Sequence, residues 1–284
     1  MDKLIKSPMN YVGGKYKLLK QIFPLFPNKD NTINGTFIDL FCGGGNVAVN
    51  VKAKRIIAND FDSNVIGIYN TFKKNEIDFI LDYIEKRIKQ FDLSKTNKEG
   101  YLDFRLLYNN SIEKNPIDLF VLICYSFNNQ FRFNSKGEFN MPFGKDRSSF
   151  NNTMRQNLIN FKEGISDIIF TNRNFDELKL NKLSTNDFVY CDPPYLITCA
   201  TYNEKNMWNE THERKLLSLL DNLNERKIKF ALSNVLTNKG KENEILSEWS
   251  KNYNVHHLIN SYSNCSYHRK DKETTSDEVL ITNY

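Results

Sequence analysis

Short apolar runs separated by amphipathic stretches set the pattern of this chain. The runs at 36–41, 55–58 and 188–191 are rich in Ile, Val, Phe and Tyr and are followed within two residues by Gly or Asp, which is typical of buried strands. Further strands are predicted at 168–172, 229–234, 255–258 and 277–283, and helices at 18–23, 47–51, 155–164, 210–223 and 239–253. This alternation predicts an α/β fold, in which ligands bind at the carboxyl ends of the strands.

One long stretch departs from the alternation. Apolar residues recur at helical spacing over 64–91, 101–108 and 117–124 with no strand between them. A mostly helical block between two strands of a sheet indicates an inserted lobe. The predicted domains are therefore a catalytic domain of residues 1–62 and 160–284, and an insertion of residues 63–159.

Composition and charge narrow the class of protein. The 284 residues are 40% hydrophobic and 26% charged, and no apolar run approaches the roughly 18 residues that span a bilayer. We therefore expect a cytoplasmic protein without a membrane contact. The net charge of +5 permits a polyanionic partner without requiring one. Five scattered cysteines form no Cys-x-x-Cys pair, so neither a disulfide framework nor a metal site is expected.

Two glycine-containing segments indicate close backbone contact with a ligand. Tyr11-Val12-Gly13-Gly14-Lys15 lacks the spacing of a Walker loop, and Phe37-Ile38-Asp39-Leu40-Phe41-Cys42-Gly43-Gly44-Gly45 departs from the dinucleotide pattern. Asp39 suits a cationic or amino-acid-bearing ligand instead. Asp60 ends the next strand about twenty residues on, where an acid accepts hydrogen bonds from ribose hydroxyls. A plain glycine turn before a helix, and a helix cap at Asp60, remain alternatives.

The sequence Asp192-Pro193-Pro194-Tyr195 ends the strand at 188–191. Two prolines fix φ and stiffen the backbone, so a carboxylate, a proline carbonyl and an aromatic ring are presented at the strand end. These acceptors suit an exocyclic amine, and the ring suits the heterocycle that carries it. An ordinary Pro-Pro turn is the alternative interpretation.

Aromatic residues interleave with Asn, Gln, Arg and Lys over 125–147, with a turn at Lys136-Gly137. Arg can bind guanine through two hydrogen bonds, Asn or Gln can pair with adenine, and aromatic rings can enter a base stack. Lys and Arg near the turn suit phosphates. The alternative is a hairpin that packs on its own lobe.

A polar loop at 201–208 could close over a site, and a basic loop at 267–272 could contact phosphates or solvent.

These motifs, in this order and over almost the whole chain, resemble the Dam-type DNA adenine-N6 methyltransferases (D12 class, alpha group), most closely the Dam enzymes of T-even bacteriophages. The resemblance implies a Rossmann-like methyltransferase fold, S-adenosyl-L-methionine as methyl donor, and double-stranded DNA with a flipped-out adenine, within GATC, as substrate. It also implies a monomer or weak dimer on DNA, a nucleoid location, and potentially a cognate restriction endonuclease.

The resemblance also implies that the domain of residues 1–62 and 160–284 binds S-adenosyl-L-methionine and is catalytic, and that the insertion of residues 63–159 recognises the DNA target. It assigns roles to single residues as well. Asp192, Pro193 and Tyr195 would surround the target amine. The cofactor site would comprise Tyr11, Gly14, Lys15, Asp39, Phe41, Gly43, Asp60, Asn174, Phe175 and Asp192. The DNA-binding set would comprise Phe127, Asn128, Gln130, Arg132, Asn134, Lys136, Pro142, Lys145 and Arg147.

Two departures from the family pattern bear on base preference. Gln130 replaces a usual apolar residue, and Lys145-Asp146-Arg147 replaces a more compact basic pair. Alternatives of other classes are a catalytically idle DNA-binding protein, an RNA or protein-glutamine methyltransferase, and a nicotinamide-linked oxidoreductase. The glycine spacing disfavours the oxidoreductase, and the intact Asp-Pro-Pro-Tyr motif disfavours the idle protein.

Overall fold

A computed structural model describes residues 3–28, 32–198, 208–259 and 276–284. The chain divides into two compact units that alternate along the sequence. We call them the helical unit (Met1–Gly14, Gly43–Asn50 and Asp62–Asn172) and the sheet unit (Lys15–Cys42, Val51–Phe61 and Arg173–Tyr284). The insertion predicted at 63–159 falls within the helical unit, and its role in target recognition stays a prediction.

The helices and strands follow one another in mixed order. The helices are α1 (Leu19–Ile22), α2 (Ser63–Lys74), α3 (Ile77–Gln90), α4 (Lys98–Asn110), α5 (Pro116–Tyr125), α6 (Asn152–Gly164), α7 (Glu210–Glu225) and α8 (Glu244–Ser250). The strands are β1 (Thr32–Asp39), β2 (Lys52–Asp60), β3 (Ile168–Asn172), β4 (Phe188–Cys191), β5 (Lys229–Asn238), β6 (Lys241–Glu242), β7 (Asn254–Leu258) and β8 (Asp277–Thr282).

The sheet unit is built on parallel strands in the order β2-β1-β4-β5. Strand β8 then pairs antiparallel with β5, β7 pairs antiparallel with β8, and the short β6 forms a hairpin with β5. The pairing of Asp39 with both Ala58 and Tyr190 brings the carboxyl ends of β2, β1 and β4 to nearly the same level. Side chains that follow these ends are therefore neighbours.

Alternation along the strands sends apolar side chains to both faces of this sheet. Ile38, Val189 and Phe230 belong to one buried cluster that includes the apolar face of α7. Phe37 and Phe188 point to the opposite face, where both rings contact Phe26. A parallel sheet buried on both faces gives nearly continuous apolar runs, which explains why these strands were predictable from the sequence.

In the helical unit, α5 is buried along its whole length, and α2, α3 and α4 all contact it. The run at 64–91 is two helices, because the chain leaves the helical conformation at Asn75 and Glu76. Side chains cap four of the helices: Asp62, Asn97, Asn115 and Asn151 each accept a hydrogen bond from a backbone N–H of the first turn. Asp62, and not Asp60, caps α2, so the interpretation of Asp60 as a helix cap is wrong.

Two predicted helices are absent or shortened. The glycine turn is followed by a single 3-10 turn, Ala48–Asn50, because β2 already begins at Lys52 and leaves no room for a helix. The stretch predicted as a helix at 239–253 begins as a hairpin instead. Lys239 and Gly240 both have positive φ, 49° and 76°, as a two-residue hairpin turn requires, and the helix starts only at Glu244.

Two predicted loops, 201–208 for all but its last residue and 267–272, lie outside the described residues. In the part of the chain that is described, no helix is long and apolar enough to cross a bilayer.

Candidate active site

Three carboxylates follow adjacent parallel strands of the sheet unit. Asp39, Asp60 and Asp192 stand at the carboxyl ends of β1, β2 and β4. Asp39 and Asp60 are buried, at 1% and 7% exposure. Burial raises the pKa of the Cys42 thiol well above its usual value, and the charges of Asp60 and Asp39 raise it further. Asp39 and Asp60 therefore lie close enough to the Cys42 thiol for their charges to disfavour its ionisation.

Asp192 is held in a cluster with Lys15 and Tyr195. The Lys15 ammonium lies 2.8 Å from Asp192 Oδ1, and the Tyr195 hydroxyl donates to the same oxygen at 3.1 Å. Lys15 Nζ also lies 4.9 Å from the centroid of the Tyr195 ring. Pro193 is buried and Pro194 is exposed. The structure thus brings together Lys15, which follows the first glycine segment, and the Asp-Pro-Pro-Tyr turn.

Glu278 is a fourth member of this cluster that sequence reasoning missed. It lies on β8, is 6% exposed, and accepts a hydrogen bond from the Tyr195 hydroxyl at 3.2 Å. Its Oε1 is 3.6 Å from Lys15 Nζ. An acid inside an apolar strand, in Asp277-Glu278-Val279-Leu280-Ile281, was the available signal, because an acid is almost never buried without a partner. We call Lys15, Asp192, Tyr195 and Glu278 the charged cluster.

The charged cluster changes the acidity of two of its members, Asp192 and Tyr195. Burial raises the pKa of Asp192 above its usual value, Lys15 opposes this rise, and Glu278 adds to it. Burial and the two carboxylates raise the pKa of Tyr195 well above its usual value, so its hydroxyl stays a donor. One ammonium therefore faces two buried carboxylates, and Asp192 is more readily protonated than an exposed aspartate.

Aromatic side chains extend the candidate site on the sheet unit. Phe41 and Phe175 lie 5.5 Å apart between ring centroids, and Trp208 contacts both at 5.6 Å. Phe41 is half-buried and Phe175 is buried, whereas Asn174 is exposed and accepts a hydrogen bond from the Phe175 backbone N–H. The structure therefore brings Phe41 and Phe175 together, and it places Asn174 in the turn that precedes Phe175.

Trp208 is itself fixed by a buried acid, Glu213, which sequence reasoning missed. The indole N–H donates to Glu213 at 2.7 Å, and the side chains of Asn234 and Asn243 donate to its other oxygen. Burial raises the pKa of Glu213, and these three donors oppose the rise. Glu213 thus connects Trp208 on one side with β5 and the cap of α8 on the other.

Three cofactor-site predictions fall in the helical unit. The Gly14 backbone N–H donates to the Tyr11 carbonyl at 3.0 Å, which closes the first glycine turn. Gly43 has φ of +43°, and a Cβ there would lie 2.9 Å from the Tyr11 ring. Gly43 is therefore required by both its backbone conformation and the close approach of Tyr11.

The predicted DNA-binding segment forms a loop that the helical unit anchors. Phe133 and Phe139 form a bridge, and Gly137, at φ of 75°, turns the chain between them. Asn109 on α4 bonds both the N–H and the carbonyl of Phe139. We call residues 127–147 the recognition loop. It packs on its own lobe as the alternative interpretation stated, and it also presents an exposed polar and basic surface.

Individual residues of the recognition loop differ in what their side chains do. The Asn134 amide forms the turn itself, since its oxygen accepts from the backbone N–H groups of Lys136 and Glu138 and its nitrogen donates to the Glu138 carboxylate. Arg132 is exposed and donates to the Asn140 side chain at 2.9 Å. Arg132 therefore has its planar donor group at the surface, whereas Asn134 is used within the loop.

Three further members of the predicted DNA-binding set, Phe127, Asn128 and Arg147, lie close together where the recognition loop begins and ends, whereas Lys136 lies in its turn. Arg147 lies over the exposed Phe127 ring at 5.3 Å and contacts the Asn128 side chain at 3.3 Å. The carbonyl of Pro142 accepts from the Phe127 backbone N–H at 2.8 Å. The exposed members of the set are Phe127, Asn128, Arg132, Lys136, Pro142, Lys145 and Arg147, and Gln130 and Asn134 are half-buried.

The fold and the acidic strand ends with their Asp-Pro-Pro-Tyr turn define a class. The profile of the D12 class N6 adenine-specific DNA methyltransferases matches residues 11–264, so the chain belongs to that family. The predicted α/β fold is confirmed, and the predicted enzyme class is the one that this family describes. S-adenosyl-L-methionine is the methyl donor of this family.

Two relatives of high sequence identity are themselves named as modification enzymes or type II methyltransferases. It is 51% identical over 289 residues to the type II methyltransferase M.FokI of Planomicrobium okeanokoites and 48% identical over 290 residues to the modification methylase StsI of Streptococcus sanguinis. These alignments cover 100% and 99% of this chain but 43% of each relative, so the chain spans less than half of their length.

A Dam-type relative is more distant. The DNA adenine methylase of Escherichia coli strain K12 is 27% identical over 233 residues, which are 80% of this chain and 79% of that enzyme. The expected likeness to T-even phage enzymes in particular is not what these comparisons show. The higher identities are to type II modification methylases.

The side chains of the sheet unit fit S-adenosyl-L-methionine by their chemistry. Its ammonium and sulfonium groups are cations and its ribose hydroxyls are donors. Asp39 and Asp60 supply buried acceptors for such groups, and Asp192 supplies a half-buried one. Phe41 and Phe175 supply ring surface of the kind that a purine contacts.

Proposed function

We propose that this chain transfers a methyl group to N6 of a flipped-out adenine in a specific duplex sequence, GATC being the sequence that the resemblance implies. The observation that carries the proposal is the Asp-Pro-Pro-Tyr turn, whose Asp192 carboxylate is held beside Lys15, Tyr195 and Glu278 at the carboxyl end of β4. The family sets the reaction, and the turn supplies the acceptors for an amine.

In this mechanism the chain positions the adenine amino group. S-adenosyl-L-methionine supplies an electrophilic methyl group. The Asp192 carboxylate and the Pro193 carbonyl accept hydrogen bonds from N6, which orients its lone pair, and the Tyr195 ring contacts the base. A base inside a duplex cannot reach these groups, so it must leave the stack at a cost of a few kcal/mol. Most of the rate gain then comes from position and from fixed dipoles.

We assign the cofactor contacts on the sheet unit by charge and hydrogen-bonding capacity. Asp39 accepts from the cofactor ammonium, Asp60 from the ribose hydroxyls, and Phe41 and Phe175 contact the purine. For Tyr11, Gly14 and Gly43 of the helical unit, and for Lys15 and Asn174 of the sheet unit, the proposal of a cofactor contact rests on the resemblance alone.

The recognition loop is the proposed DNA contact. Arg132 has the donor geometry for guanine, and Lys136, Lys145 and Arg147 suit phosphates. Phe127 would fill the gap that the adenine leaves.

The names of M.FokI and StsI as type II and modification enzymes support a cognate restriction endonuclease as partner. We further propose a cytoplasmic, nucleoid-associated enzyme that acts as a monomer or weak dimer on DNA.

The test is to express the chain in a bacterial host without adenine methylation and to sequence the DNA for N6-methyladenine. We expect methylation at one short sequence, and the sequence found decides whether it is GATC. Asp192→Ala should abolish methylation because the acceptor for N6 is lost, while duplex binding measured by fluorescence anisotropy is retained. Asp167→Ala, at an exposed position, is the matched control. Turnover by Asp192→Ala would refute the role given to Asp192, and an unmethylated genome would refute the function.

A further inference from the structure

The charged cluster contains one acid more than the proposed reaction uses. Asp192 is assigned to the target amine, yet Glu278 lies against the same two groups, Lys15 and Tyr195. A second carboxylate at this place is costly, because like charges in a buried site raise each other's free energy. Because Glu278 costs free energy at this place, we expect its carboxylate to serve a function.

One oxygen of the Asp192 carboxylate already accepts hydrogen bonds from two groups of the protein. Oδ1 accepts from the Lys15 ammonium at 2.8 Å and from the Tyr195 hydroxyl at 3.1 Å. An adenine amino group that binds this oxygen must share it with these donors or displace them. A displaced ammonium in a buried site needs another acceptor at once, since an unpaired buried charge is strongly unfavourable.

Glu278 is placed to be that acceptor. Its Oε1 lies 3.6 Å from Lys15 Nζ, so a shift of less than about 1 Å brings the two to hydrogen-bond distance. It lies 3.2 Å from the Tyr195 hydroxyl, which carries a single proton and so donates to Glu278 or to Asp192 but not fully to both. Both competitors for Asp192 therefore have a second partner in Glu278.

We propose that Glu278 is a positioning residue that takes over Lys15 and Tyr195 when the target adenine enters, and so frees the Asp192 carboxylate for the amine. This role rests on the proposed function and adds a residue on β8 to it. Without Glu278, Lys15 and Tyr195 stay on Asp192 and compete with the base.

The variant that tests this role is Glu278→Gln, which keeps the size of the side chain and removes its charge. The neighbouring Asp277→Asn is the matched control, because successive strand residues face opposite sides and Asp277 pairs with the exposed His257 instead. The substrate is a duplex of the sequence that genome mapping identifies for the unmodified protein, so failure of the proposed function is seen first and separately.

We expect Glu278→Gln to lower kcat at least tenfold while the dissociation constant for the duplex changes less than threefold. With 2-aminopurine at the target position and S-adenosylhomocysteine present, the fluorescence rise that reports an extruded base should fall at least twofold. Asp277→Asn should match the unmodified protein in both measurements.

Thermal unfolding separates this role from a structural one. Glu278→Gln removes one of two carboxylates that share one ammonium, so Tm should stay the same or rise. A kcat and a fluorescence rise equal to those of the unmodified protein would overturn the proposal. A loss of activity that comes with a lowered Tm would overturn it as well, because Glu278 would then act as a structural residue.

Discussion

Asp192 shows how a single residue is tuned by what surrounds it. Burial raises its pKa, the Lys15 ammonium lowers it, and Glu278 raises it again. The tyrosines nearby, Tyr190 and Tyr195, both have pKa values held well above the usual one, so both stay neutral, and the Tyr195 hydroxyl donates to Asp192. Asp192 therefore titrates at a higher pH than an exposed aspartate.

This tuning predicts the pH dependence of methylation. In the proposed mechanism the ionised form of Asp192 accepts hydrogen bonds from N6, so activity should fall as the pH drops through the raised pKa of Asp192. Glu278→Gln removes a neighbouring negative charge, which lowers the pKa of Asp192 and should move the acid limb of kcat to lower pH. Profiles of kcat against pH for the two proteins check this, and an acid limb that stays in place or moves upward would contradict it.

Some acidic residues of the sheet unit could be predicted from the sequence, and others could not. Asp39, Asp60 and Asp192 were predictable because each follows a continuous apolar run, and such runs mark strands buried on both faces. Glu278 and Glu213 were not, because each finds its partners far away in the sequence. Glu278 meets Tyr195 and Lys15, and Glu213 meets Asn234 and Asn243 only once the strands are paired.

At the scale of elements, the recognition loop owes its shape to short-range and helix contacts. The Asn134 side chain forms the turn, and Asn109 holds Phe139 against α4. Arg132 donates to Asn140 across the loop, which holds its guanidinium at the surface. The sequence predicted the turn and the polar surface, but it could not tell Asn134, whose side chain builds the turn, from Arg132, whose exposed guanidinium is the proposed base contact.

The substitution Arg132→Ala tests whether the Arg132 side chain contacts a base. If Arg132 binds guanine through two hydrogen bonds, its loss should relax base choice at one position by about 1–3 kcal/mol. Methylation of a set of duplexes, each with one base changed, measures the effect. Lys136→Ala, at the exposed turn, is the control and should weaken binding evenly across sequences. An even loss for Arg132→Ala would make Arg132 a phosphate contact.

Both wrongly predicted helices lie where the connection between two strands is too short to hold a helix. Periodicity indicated a helix after Gly45 and another from Lys239, but β2 begins at Lys52 and the positive φ of Lys239 and Gly240 makes a hairpin. Helical spacing over three or four apolar residues is weak evidence against such constraints. Gly240 was the signal that could have predicted the hairpin.

At the scale of the whole molecule, buried polar groups connect elements that are distant in sequence. Glu213 on α7 joins Trp208 to Asn234 on β5 and to Asn243 at the cap of α8. Leaving buried donors without a partner costs about 1–3 kcal/mol.

Glu213→Gln should therefore destabilise the fold, because the new amide presents its own N–H groups to donors. We expect a loss of about 1–3 kcal/mol, seen as a Tm several degrees lower in a thermal scan. Glu210→Gln on the same helix is exposed and should change stability by less than about 0.5 kcal/mol. Equal Tm values for the two variants would mean that the Glu213 contacts contribute nothing net.

The alternation of the two units along the chain has a consequence for engineering. The helical unit includes Met1–Gly14 and Gly43–Asn50 as well as Asp62–Asn172, so no single cut in the sequence releases it intact. In a chimera that takes residues 63–159 from a relative, the native segments Met1–Gly14 and Gly43–Asn50 would have to pack against residues of the other protein. Exchanging only the 127–147 segment, which α4 anchors through Asn109, disturbs far fewer junctions and is the more promising graft for changing target preference.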